Sequence, residues 1–111
     1  TLRGFLVSEI LKDLYVILKQ RKGADPKDSY VASLYHKGTQ HISDKVIEEA
    51  EETIAEAIKG DKDRLKEESA DLLFHLSVLW ADQGVSPDEV LAVLEKRFGQ
   101  SGHTEKESRK K

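Results

Sequence analysis

Apolar residues recur at steps of three and four along most of this chain, in stretches that each end at a glycine. That period commits the chain to amphipathic helices rather than strands. Over residues 2–21, Leu2, Leu6, Val7, Ile10, Leu11, Leu14, Ile17 and Leu18 line one helical face, and Gly23 ends it. Asp25-Pro26 and Ser29 form a turn-rich connector, and Tyr30 to Tyr35 reads as one or two helical turns. After Gly38 and Thr39, a second long pattern places Ile42, Val46, Ala50, Ile54, Ala57 and Ile58 on one face, with Gly60 as its C-terminal stop. A third helix is expected from about Asp63 to Gln83, closed by Gly84. Its wide apolar surface (Leu65, Leu72, Leu73, Leu76, Leu79, Trp80) gives it a central position. Ser86-Pro87-Asp88-Glu89 then supplies a cap, a proline at the first helical position and a capping box. The helix it opens carries Val90, Leu91, Val93, Leu94 and Phe98 and stops at Gly99. The expected architecture is all-α, a bundle of about four helices in one domain over residues 1–99. The polar segment 100–111 is expected to be a disordered tail.

Composition removes several classes of function. There is no cysteine, which excludes disulfides, zinc-thiolate sites and cysteine nucleophiles. A net charge of −3 gives no electrostatic ground for nucleic acid as the main ligand. No apolar run approaches the roughly 20 residues of a membrane span, and no signal peptide opens the sequence, so the cytoplasm is the expected location. An anionic substrate would then need local lysines, arginines or a bound cation.

Carboxylates supply the candidate chemistry. At 100° per residue, Lys45, Glu49, Glu52 and Glu56 fall along one flank of the second helix's apolar arc, whereas Glu48 and Glu51 turn further toward solvent. Arg64, Glu68, Asp71 and His75 form a matching stripe on the third helix. Glu49/Glu52 and Glu68/Asp71 share the i, i+3 spacing that brings side chains together on neighbouring turns. If the two helices pack antiparallel about Gly60-Asp61, the acidic flanks face each other, and an all-oxygen donor set suits Mg²⁺ or Mn²⁺. A glutamate-rich run such as EEAEE is, by itself, equally an ordinary solvated helix face.

The spacing Glu48-Glu49-x-x-Glu52 followed by Glu68-x-x-Asp71 resembles the EExxE…ExxD signature of MazG-type all-α nucleotide pyrophosphohydrolases. KVIEEAEE (45–52), ESADLLFHLSVL (68–79), ADPKDSYVASLYHKGTQHI (24–42) and VSPDEVLAVLEKRFG (85–99) resemble the phosphoribosyl-ATP pyrophosphohydrolase branch, which acts second in histidine biosynthesis. The likeness covers about residues 5–99. It implies Mg²⁺-dependent hydrolysis of phosphoribosyl-ATP to phosphoribosyl-AMP and pyrophosphate, with Glu49, Glu52, Glu68 and Asp71 as metal ligands. Glu48 and Glu49 are the candidate catalytic carboxylates; a base or supporting role suits Glu48 better than ligation. Ser29, Tyr30, Thr39, Lys45 and Arg97 become candidate substrate contacts, although each also reads as turn, cap, ion-pair or surface chemistry. His75 would either orient a ligand carboxylate or sit as a satisfied, partly buried histidine.

The sequence departs from the family pattern at Ile47, where glycine is frequent, and in the extra charges of Glu51 and Glu56. No fused cyclohydrolase is expected, because that activity needs zinc-binding cysteines and these residues include none. Three other readings compete. A ferritin-like di-metal bundle needs Glu-x-x-His pairs, which no histidine here supplies. A house-cleaning nucleoside triphosphate pyrophosphohydrolase would share the metal signature but not the segment from Ser29 to Gly38. A non-enzymatic helical module would make the paired acids accidental. The apolar surfaces of the first and third helices exceed what one small bundle covers, so a homodimer is expected.

Overall fold

The computed structural model describes the backbone over residues 2–99 and the side chains over residues 9–99. The expectations for the 100–111 tail and for the packing of Leu2, Leu6 and Val7 lie outside those ranges. The described elements are α1 (Leu2–Gln20), a 3-10 turn (Arg21–Gly23), α2 (Tyr30–Lys37), α3 (Thr39–Lys59), α4 (Lys62–Gln83) and α5 (Pro87–Phe98). The expected one or two turns at Tyr30 are therefore a full helix, and the bundle has five members among the described residues. Ser29 makes the difference: its side chain accepts a hydrogen bond from the Ala32 amide and caps α2.

The frame is the α3–α4 hairpin. Gly60 ends α3 with φ of +78°, a left-handed conformation that costs an L side chain about 1 kcal/mol or more, and its amide returns to the Ala57 carbonyl. Asp61 immediately caps α4, accepting from the Arg64 amide at 3.0 Å. At the open end of the hairpin the Thr39 hydroxyl donates to Asp82 at 2.6 Å, and near the turn Arg64 pairs with Glu56 at 3.6 Å. These two ties fix an antiparallel register in which Glu49 and Glu52 face Asp71 and Glu68.

α1 packs on α4 and α5, and α2 packs on α3. One core cluster joins four of the helices: Leu18 from α1, Leu34 from α2, Ile42 from α3, and Val78 and Ala81 from α4. Tyr35 of α2 donates its hydroxyl to the Leu18 carbonyl at 2.9 Å, satisfying an acceptor that the end of α1 leaves open. Burial, with help from the charge of Asp82, pushes the Tyr35 phenol up to about 12, so it stays a donor across the physiological range.

The apolar face expected on α3 is divided. Ile42 is buried, but Ile54 and Ile58 are 57% and 82% exposed, and Ala57 is exposed as well. On α4 the deepest side chains are Ser77, Val78 and Ala81, while Leu73 is exposed and Leu65, Leu72, Leu76 and Trp80 are only half-buried. The periodicity identified the helices correctly, yet much of their apolar surface is not covered within the chain.

Candidate metal centre

The midpoint of the hairpin gathers the acids. Oxygens of Glu49, Glu68 and Asp71 lie within 4.8 Å of one another. Glu49 and Glu68 are only 8% and 9% exposed, whereas Asp71 reaches in from the exposed edge. Glu52 is exposed and is not one of these three, although it acts on the carboxyls of both Glu49 and Glu68. The i, i+3 spacing on each helix produces this result, because it sets consecutive carboxylates one above the other on the face turned to the partner helix.

Charge is concentrated here beyond what local cations offset. Burial raises the Glu49 carboxyl above its ordinary value of 4.5; Glu52 and Asp71 add to the rise and His75 opposes it. Glu68 is raised first by its hydrogen bond with Glu52, then by burial and by the charges of Glu52 and Asp71, with Arg64 opposing at 3.4 Å. One buried oxygen on each, Glu49 Oε2 and Glu68 Oε2, has no protein hydrogen-bond partner. Buried carboxylate oxygens without donors are costly unless an external donor or cation meets them. Three carboxylate residues with oxygens this close form an all-oxygen donor set that could hold a hard cation such as Mg²⁺ or Mn²⁺.

These shifts predict how the metal-free protein responds to pH. A folded-state value above 4.5 means that the folded chain binds protons the unfolded chain has released, so stability falls as pH rises from about 4.5 through the raised values. Glu49→Gln removes one such group. In EDTA, its urea midpoint relative to the original chain should therefore be more favourable at pH 7 than at pH 4.5. An equal difference at both pH values would contradict the repulsion described here.

The other candidate residues are dispersed. Glu48 is exposed and accepts from Lys45 Nζ at 3.1 Å, so Lys45 is engaged in an ion pair within α3. That bond also raises the Lys45 ammonium. Ser29 is engaged as the α2 cap. Thr39 is tied to Asp82, eleven residues beyond Asp71 and so about 16 Å along the α4 axis. Arg97 lies exposed in the last turn of α5, which packs chiefly on α1. Tyr30 does reach the site region: its hydroxyl meets His75 Nε2 at 2.8 Å. His75, 6% exposed, bonds through Nδ1 to the Asp71 carbonyl and not to a carboxylate. Arg64 was legible only as part of a stripe, but its guanidinium bridges Glu56 and Glu68 and is the cation placed against the acid cluster.

A cleft of about 200 Å³ lies at the hairpin turn, lined by Glu56, Ala57, Gly60, Asp61, Lys62 and Leu65. No helix among the described residues is long and apolar enough to cross a membrane.

Sequence comparison agrees with this architecture. Residues 11–98 match the model of the phosphoribosyl-ATP pyrophosphohydrolase family. The chain is 54% identical over 101 residues to a phosphoribosyl-ATP pyrophosphatase of Azospirillum brasilense, an alignment covering 91% of each chain. It is 50% identical over 103 residues to the enzyme of that name from Zymomonas mobilis, covering 93% of this chain and 96% of that one. It is also 50% identical over 102 residues to the one from Methylococcus capsulatus, with 92% and 97% covered. An all-helical chain matched over nearly its full length, with its paired acids facing across one hairpin, belongs to the phosphoribosyl-ATP pyrophosphohydrolase family.

Proposed function

We propose that the protein hydrolyses phosphoribosyl-ATP to phosphoribosyl-AMP and pyrophosphate through a divalent-cation site at Glu49, Glu52, Glu68 and Asp71. The observation that supports this most directly is the pair of buried, unpartnered oxygens on Glu49 and Glu68, two carboxylates that approach within 4.8 Å in a chain that belongs to a family of pyrophosphohydrolases. Bound there, Mg²⁺ (or Mn²⁺ in its place) would polarise phosphoryl oxygens and offset the charge of the departing pyrophosphate. The chain's own contribution is positional. Water attacks one of the two phosphorus atoms that share the α–β bridging oxygen, breaking that anhydride bond so that pyrophosphate is released intact, and Glu49 and Glu52 are the carboxylates proposed to orient that water. Glu48 acts through Lys45, with which it pairs at 3.1 Å one turn before Glu49. Lys45 is then available to a phosphate oxygen with only an exposed ion pair to exchange, an interaction worth about 0–1 kcal/mol.

The test is pyrophosphate release from phosphoribosyl-ATP, dATP and dUTP, with and without Mg²⁺. Release confined to phosphoribosyl-ATP and abolished by EDTA supports the reading. Preference for dATP or dUTP would move the protein to the house-cleaning nucleotide pyrophosphohydrolases. A cytoplasmic location accords with a small nucleotide substrate.

The proposed assembly is a homodimer. Ile47, Ile54 and Ile58 are 56%, 57% and 82% exposed, and their spacing confines them to an arc of roughly 40° on the side of α3 away from the acids. Such a stripe on a monomer surface marks an interface, and covering it with a second copy leaves both acid clusters accessible. Ile54→Asp should convert a dimer to a monomer by light scattering at micromolar concentration; an original chain already monomeric there would refute the assembly.

A further inference from the structure

Tyr30 and His75 stand 45 positions apart in sequence, on different helices, and meet beside the carboxylates. A carbonyl oxygen only accepts, so the 2.8 Å contact between His75 Nδ1 and the Asp71 carbonyl places the ring proton on Nδ1. In the neutral ring Nε2 is then an acceptor, and the Tyr30 hydroxyl donates to it at 2.8 Å. The imidazole is also held edge-on by Tyr30, with centroids 5.9 Å apart, and by Phe74 at 5.2 Å. It therefore has fixed neighbours on both nitrogens and on its ring, and it is buried. Tyr30 is the first residue of α2, directly after the Ser29 cap, so the bond ties the start of α2 to the turn of α4 that begins at Asp71.

We propose that Tyr30 and His75 are positioning residues that preset Asp71, and with it the Glu49–Glu68–Asp71 donor set, for the cation. Asp71 reaches the cluster from an exposed edge and has the least packing of the three to hold it. The Tyr30–His75 bond compensates by fixing the backbone turn from which Asp71 projects. Partners that orient a ligand without touching the metal are worth about 10–100-fold in metal affinity in comparable sites. This role differs from the substrate contact that the position of Tyr30 suggests from sequence, because here its hydroxyl is spent inside the protein. The inference rests on the metal-site reading above.

Three measurements test it on the full chain. Mn²⁺ titration by electron paramagnetic resonance should show Tyr30→Phe and His75→Phe each weakening binding by about tenfold. The double variant should be no weaker than the worse single, because both break one connection. Long-range proton–nitrogen correlation should show His75 as the Nδ1–H tautomer in the original chain and a changed Nε2 signal in Tyr30→Phe. At saturating Mg²⁺ the KM for phosphoribosyl-ATP should stay within about twofold. Unchanged Mn²⁺ affinity with a raised KM would overturn the proposal and make Tyr30 a substrate contact. An Nε2–H tautomer, or an original chain that binds no Mn²⁺, would also overturn it. Loss of Mn²⁺ affinity in the variants of a chain inactive on phosphoribosyl-ATP would remove the substrate assignment and leave this pair standing.

Discussion

Glu49→Gln and Asp71→Asn should each lower pyrophosphate release by about three orders of magnitude or more, the upper range for losing a preorganised electrostatic contact at a reacting centre. The two substitutions differ in what else they do. Glu49 is buried, with an oxygen that no protein donor meets, and neighbouring acids push its carboxyl up. Replacing it with a neutral amide therefore relieves repulsion in the metal-free protein, which should melt at a higher temperature than the original chain in EDTA. Asp71 is exposed but its charge adds to the rise at both Glu49 and Glu68, so its replacement should raise the metal-free melting temperature by less than Glu49→Gln does. Both should abolish the rise in melting temperature that Mg²⁺ produces through preferential binding to the folded state. A variant of either kind that keeps both activity and the Mg²⁺-dependent rise would remove that residue from the metal centre.

The largest effect on stability is expected at Ile42. It is fully buried where α1, α2, α3 and α4 meet, against Leu18, Leu34, Val78 and Ala81. Ile42→Ala leaves a void that four helices cannot close together, at a cost of about 3 kcal/mol. For a chain of this size that corresponds to a melting temperature lower by roughly 12–24 °C. Ile58→Ala removes a side chain of the same volume from an 82% exposed position and should leave the folding stability of an isolated protomer within about 0.5 kcal/mol. Urea denaturation at concentrations low enough to suppress association separates the two. Equal losses would mean that the core does not lie where the burial places it.

The contrast between these isoleucines also shows what the sequence could disclose. Both lie on the apolar face that the spacing of α3 defines, and a period of three and four cannot distinguish burial within the chain from burial by a second copy. The acid pairs were legible because their partners lie one turn away on the same helix, and because Gly60 and Asp61 force the next helix back alongside. Helix ends were legible for the same local reason, as at Ser86-Pro87-Asp88-Glu89, whose capping box forms as expected. Contacts between distant segments were not. The bond from Tyr30 to His75 and the hydroxyl of Tyr35 on the Leu18 carbonyl depend on how α2 lies against the other helices, and the tie from Thr39 to Asp82 on the register of two helix ends 43 residues apart. The choice of Lys45 between Glu48 and Glu49, one residue apart, is a matter of rotamer, which no helical wheel resolves.

Every proposed ligand comes from one uninterrupted hairpin, α3 and α4, joined through Gly60 and Asp61. The span of chain closed when Glu49 meets Asp71 is short and largely helical, so bringing the donors together costs little loop entropy. Contacts of that kind are expected to form ahead of the long-range docking of α1 onto α4. A cation that binds the hairpin would therefore stabilise the folding transition state as well as the native protein, and would increase the rate of folding rather than only slow unfolding.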